Sequence, residues 1–142
     1  MHASVHGAIG VLVNQTVFSI TKDIGVSYVV GNSINVPLHI VLDLIGENNY
    51  GGKKAMIMAE VFCFILSMYC IYNDHNSLLL FSGWFFSNLP DIIDKKMYFS
   101  ILFPDRFKYT YYFHWRNQAK INLTNTQTYL LAVIFSLLIF TL

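Results

Sequence analysis

The chain has 142 residues, 55% of them hydrophobic and 12% charged, with a formal net charge of +1 and a mean hydropathy of +0.49. A soluble domain averages about 25% charged residues, so the composition points to a one-domain membrane protein and argues against nucleic acid as a partner. Cys63 and Cys70 lie in one apolar run, seven apart; a disulfide between them is geometrically implausible, and both are expected to pack as small apolar residues.

Five apolar segments follow in chain order, an all-α pattern that predicts a polytopic transmembrane bundle of about five helices. The first, about residues 3–20, carries Ala3, Ser4, Gly7, Ala8 and Gly10, small residues that let membrane helices approach closely. No Lys or Arg precedes it, so a cleavable signal peptide is not expected. The second, about 24–46, is interrupted by Gly31, Asn32, Ser33, Asn35 and Pro37, which predicts a kink or split. Gly46–Gly52 reads as a flexible turn. The third segment spans about 55–72 and contains Glu60, for which a structural role is favoured over a supporting role beside a site. Asp74 and His75 follow in a turn and are expected to be solvated. The fourth spans about 77–93, and Pro90 predicts a helix break or fresh start before Asp91. The connection of about 95–122 holds six Lys or Arg and six aromatics between Phe107 and Trp115, which predicts interfacial helices. The fifth segment is about 124–142.

Charge sets the orientation. The loops after segments two and four carry eight Lys or Arg, while the two opposite turns carry only Lys22. By the positive-inside rule the N-terminus and both basic loops are cytoplasmic. That topology collects His6, His39, Asp43, Asp91, Asp94 and His114 on the cytoplasmic side, with Glu47 just beyond Asp43. His39 and Asp43 are spaced i,i+4 and share a helix face, and Asp91 and Asp94 are spaced i,i+3. Two ligands one turn apart can bind one cation. Nitrogen and oxygen donors without thiolates suit zinc first, with manganese or iron as alternatives. His6, His39, Asp43, Asp91 and His114 are the candidate ligands, Asp94 and Glu47 a further ligand or general base, and Arg116 and Lys120 a clamp for an anionic substrate.

The sequence also resembles a known family. His6-Gly7, His39-x-x-x-Asp43, Leu89-Pro90-Asp91 and Phe113-His114 look like the motifs of small, multi-helix, membrane-bound metal-dependent hydrolases, similar in their helical site to zinc-dependent phospholipase C. The resemblance spans about residues 2–117. It implies an integral protein of a bacterial inner membrane and hydrolysis, by metal-activated water, of a phosphoester or lipid-like substrate. Some relatives carry Pro-His-Gly-Asp where this chain reads Gly46-Glu47-Asn48-Asn49, so Glu47 stands in place of a His. Leu38 stands where Ser often precedes the motif's His, and His114-Trp115-Arg116-Asn117 has no second His. The Leu-Pro-Asp motif follows His39-x-x-x-Asp43 rather than preceding it, as it does in larger members. The rival reading is a non-enzymatic membrane scaffold or assembly subunit, with oligomers left open. Metal or proton transport ranks last, because it needs polar residues running across the membrane and Glu60 is the only strong mid-span candidate.

Overall fold

The computed structural model describes residues 3–48, 53–94, 113 and 121–138. Its elements run α1 (Ala3–Thr21), α2 (Ile24–Leu42), β1 (Ile45–Asn48), α3 (Lys53–Tyr72), α4 (Ser77–Asp94), β2 (Ile121–Thr124) and α5 (Asn125–Leu138). The described core is thus helical, with one short strand pair.

Local chemistry marks the helix ends. Lys22 closes α1 in the left-handed region at φ 54°, its amide donating to the Phe18 carbonyl at 2.8 Å. Asp23 then caps α2, accepting from the Val26 amide at 2.9 Å. These two residues turn the chain back, so α1 and α2 lie antiparallel. In the turn between α3 and α4, Asp74 accepts from the Asn76 amide at 2.7 Å. Asp74 is half-buried and His75 exposed, at the end remote from His6. Thr124 and Gln127 form a reciprocal capping box at the start of α5. The strands pair in parallel, Ile45 opposite Ile121 and Glu47 opposite Leu123. This pairing brings the start of α5 to the end of the bundle where α2 finishes.

α1, α2 and α4 form the tightest group, and α3 and α5 pack on the remaining side of α1. Gly10 of α1 meets Gly83 of α4 so closely that a Cβ on either would strike the other's backbone carbonyl. Small residues at this crossing let the two backbones touch. Val5 and Cys63 pack with Val133 and Phe135, and Val11 with Cys70, Ile71 and Leu80. Both cysteines are buried and neither is in a disulfide.

The polarity of α2 is inverted relative to a soluble helix. Its buried residues are Ser27, Gly31, Asn32, Asn35 and His39, whereas Val26, Val29, Val30, Ile34 and Val41 are exposed. Among the described residues, α2 is the one helix long and apolar enough to cross a membrane, and only 28% of its span is buried.

Three local expectations change. α2 ends at Leu42, not near residue 46, and Ile45–Asn48 is strand rather than flexible turn. The alternation of Ile45 and Glu47 with smaller residues is too short a pattern to announce a strand by itself. Neither proline breaks its helix: Pro37 and Pro90 both lie inside continuous α-helix. Each removes one backbone donor, but His39, two residues beyond Pro37, bonds the Ser87 carbonyl three residues before Pro90. This bond joins the two proline-containing ends of α2 and α4. The interfacial helices expected at about 95–122 lie outside the described residues, apart from Phe113 and the start of β2.

Candidate metal centre

Three helix ends bring the site together. His6 lies in the second turn of α1, His39 in the last turn of α2 with Asp43 at its C-cap, and Asp91 and Asp94 in the last turns of α4. Both imidazoles are fully buried, and the side chains of Asp43 and Asp91 are 7% and 9% exposed. The His6 and His39 rings stack, with centroids 3.9 Å apart and an interplanar angle of 24°.

The donor atoms converge. His6 Nε2 lies 3.1 Å from Asp43 Oδ1, His39 Nε2 lies 3.3 Å from Asp43 Oδ2, and His39 Nε2 lies 3.7 Å from Asp91 Oδ1. Donor atoms of His6, His39 and Asp43 all fall within 4.8 Å of one another. A tetrahedral site with bonds of about 2.0–2.1 Å has edges of about 3.3 Å. The observed separations bracket that edge, so this group could hold a metal ion.

Protonation sharpens the case. His39 Nδ1 lies 2.6 Å from the Ser87 carbonyl oxygen, which can only accept. Nδ1 therefore carries a proton and donates it. In the neutral ring, Nε2 then turns its lone pair toward Asp43 and Asp91. Such an arrangement is repulsive until a cation or an extra proton lies between them. A ligand histidine held through its other nitrogen by a backbone carbonyl is the usual supporting geometry of a metal site.

Ser87 does more than accept from His39. Its hydroxyl donates to the His6 carbonyl at 2.6 Å, so one residue of α4 fixes the ring of one histidine and the backbone of the other. Ser87 was not singled out from the sequence, although Ser87, Asp91 and Asp94 share one face of α4 at i, i+4 and i+7. Glu60 accepts from the Ser4 amide at 2.8 Å and from the Ser4 hydroxyl at 2.9 Å. It caps α1 from a neighbouring helix, next to His6, which is the structural role expected of it.

The remaining candidates divide. Asp94 is fully buried and accepts from the Phe113 amide, so the residue before His114 is tied to the site end of α4. Glu47 lies on β1, four residues after Asp43, with its backbone alone described. His114, Arg116 and Lys120 lie outside the described residues. No family model matches the chain, and neither a curated protein nor a solved structure matches it.

Proposed function

We propose that the chain is a polytopic membrane protein whose helices assemble a divalent-metal centre at the cytoplasmic face, where it hydrolyses a phosphoester. The membrane part draws support from the inverted polarity of α2 and from exposed Val61, Phe62, Ile65, Leu78 and Phe81 on neighbouring helices. Orientation follows from the eight basic residues in the two loops on the site side. The observation that carries the centre is the His39 lone pair: with Nδ1 committed to Ser87, Nε2 faces Asp43 and Asp91.

In this reading His6, His39, Asp43 and Asp91 hold zinc, or manganese or iron. A bound divalent cation supplies Lewis-acid polarisation and a more acidic water. Asp94 or Glu47 would serve as general base, and Arg116 and Lys120 would hold the anionic group of the substrate. A lipid headgroup is the phosphoester that the location favours. His114, next in sequence to Phe113, whose amide donates to Asp94, would be a further ligand.

One observation favours the non-enzymatic alternative. The 3.1 Å between His6 Nε2 and Asp43 Oδ1 is also the length of a direct hydrogen bond, so the cluster would serve as helix glue. Inter-helix hydrogen bonds in a bilayer contribute only about 0.6 kcal/mol each on average, a small return for burying two carboxylates. The magnitudes favour the metal centre.

The test is metal content of the detergent-purified protein by elemental mass spectrometry, beside the His39→Ala/Asp43→Ala double variant, with a chromogenic phosphodiester as substrate. Near-stoichiometric zinc, manganese or iron is expected, with metal and hydrolysis both lost in a folded double variant. Absence of metal after reconstitution would leave the scaffold reading. Metal without hydrolysis of any phosphoester would remove the enzyme and keep the centre.

A further inference from the structure

A cavity of about 150 Å³ lies by the α1–α2 and α3–α4 turns, at the end of the bundle remote from the metal centre. Lys22, Asp74 and Ser19 border it, over Phe18, Leu79 and Leu80. Lys22 stands sixteen residues beyond His6, about 24 Å along the axis of α1 at 1.5 Å per residue, so cavity and centre are separate sites.

The cavity carries one charge of each sign. Lys22 is exposed and Asp74 half-buried, and among the described residues no ion pair joins them. Opposite charges that border one cavity without meeting leave a gap that a zwitterion fits. Asp74 accepts from the Asn76 amide through Oδ1, at 2.7 Å, which leaves Oδ2 for a second donor. Ser19 donates its hydroxyl proton to the Thr16 carbonyl at 2.8 Å, so it offers a ligand its lone pairs. A charged and a neutral acceptor together suit a primary ammonium, with its three N–H donors. Lys22 supplies the complement for an anion. It takes the left-handed conformation, φ 54°, at a position where glycine is usual, and glycine there would bring no cation to the rim. In size, a cavity of about 150 Å³ admits a ligand part of about six heavy atoms. Exposed tyrosines surround this end: Tyr28 near the start of α2, and Tyr69 and Tyr72 at the end of α3. Tyrosine is enriched at the headgroup level of a bilayer.

We propose that the Lys22–Asp74 cavity binds a phosphoethanolamine group, its ammonium on Asp74 and Ser19 and its phosphate on Lys22 at the rim. The source of that group rests on the membrane part of the proposed function; the site itself does not depend on the metal centre. In a bilayer the group is the headgroup of phosphatidylethanolamine, and in water it is free phosphoethanolamine. The aminoethyl part fills the cavity over Phe18 and Leu80, and the larger phosphate stays at the mouth, where Lys22 is exposed. Choline is rejected by the same chemistry. Its trimethylammonium has no N–H to give Asp74 or Ser19, and quaternary ammonium is recognised by cages of several aromatic rings, whereas Phe18 is the one ring lining this cavity among the described residues.

The experiment titrates the delipidated full chain in detergent with phosphatidylethanolamine, phosphatidylcholine and free phosphoethanolamine, counting bound molecules by native mass spectrometry. One phosphatidylethanolamine per chain is expected, held about tenfold tighter than phosphatidylcholine and displaced by free phosphoethanolamine. Lys22→Gln and Asp74→Asn should each weaken it about tenfold, the loss of one charge-assisted contact. Thermal unfolding shows whether each variant is folded, and Lys22→Gln, a change at an exposed side chain, decides if Asp74→Asn is not. Binding of the free compound without the lipid keeps the site and makes its ligand soluble. Equal binding of the two lipids, wild-type binding in the folded variants, or no binding of any of the three overturns the proposal. Extraction of the cell membranes at alkaline pH tests the membrane reading separately: a chain released without detergent overturns that reading, and the free compound still decides the site.

Discussion

Gly10→Ala offers a way to disturb the centre without touching a ligand. A Cβ at Gly10 would strike the Gly83 carbonyl and would lie 2.6 Å from Ser87 Cβ and 2.7 Å from Ser87 Oγ. Relief to ordinary contact needs about 0.8 Å at Ser87 Cβ and more at the Gly83 carbonyl, which is closer still, and neither backbone can yield alone in a close-packed interior. Gly83 and Ser87 must both move, and Ser87 holds both histidines, through bonds of 2.6 Å each. Lengthened by that amount, both bonds leave the useful range. Overpacking costs about 1–3 kcal/mol, and the two bonds add roughly 1 kcal/mol each, giving a destabilisation of about 3–5 kcal/mol. Loss of supporting bonds to ligand histidines weakens metal binding by about 10–100-fold. The control is Gly25→Ala, whose Cβ would meet only Asp23 Oδ1 at 3.3 Å. Both variants should be followed by thermal unfolding in detergent and by metal titration against a competing chelator. If Gly10→Ala melts and binds metal as Gly25→Ala does, Ser87 does not couple the α1–α4 crossing to the site.

Two further substitutions probe the supports of the site. Ser87→Ala removes the hydroxyl bond to His6 and keeps the carbonyl that orients His39; metal affinity should fall about tenfold, the Co²⁺ spectrum of the substituted centre should shift, and Ser87→Thr should restore both. An unchanged spectrum in Ser87→Ala would mean that His6 is held by other contacts. Glu60→Ala leaves the first turn of α1 uncapped and should cost about 1–2 kcal/mol in equilibrium denaturation; a double variant with Ser4→Ala that costs the full sum of the singles would show that the two residues are not coupled.

Helix positions were legible because five apolar runs are bounded by strong stop signals: Lys22-Asp23, the polar stretch Asn73–Asn76, and the Thr124–Gln127 box. The site was legible in part because antiparallel order alone carries His6, His39, Asp43 and Asp91 to one end. Spacing within one helix does not reveal what lies across a seam. Ser87 and Asn14 were passed over, and Asn35 was read only as an interruption, for that reason: each acts on a neighbouring helix, and each is a small polar residue of a type common at helix interfaces. The prolines misled because the rule for breaking a helix is local, whereas α2 and α4 are also held by packing against each other and against α1. The strand pair was missed because β1 has meaning only with β2, and four residues of each leave too weak a period to read alone.

The polar residues of segment two look like interruptions when read along the chain and like a lining when read across the bundle. Gly31, Asn32 and Asn35 weaken α2 as an isolated helix by propensity, which is why they suggest a kink. Seen from α1 and α4 they are the buried face, and the valines between them are the exposed one. A soluble helix puts its apolar stripe inward. Here the inward stripe is polar, ends in His39 and Asp43, and crosses glycines that admit the neighbouring backbone. A scaffold could meet its packing needs with Gly and Ala alone, as small-residue membrane interfaces do. Asn, Ser and His also hydrogen-bond across membrane helices as glue, so what favours a cation over glue alone is the convergence at one end of the stripe, where donor atoms of His6, His39 and Asp43 lie within 4.8 Å of one another.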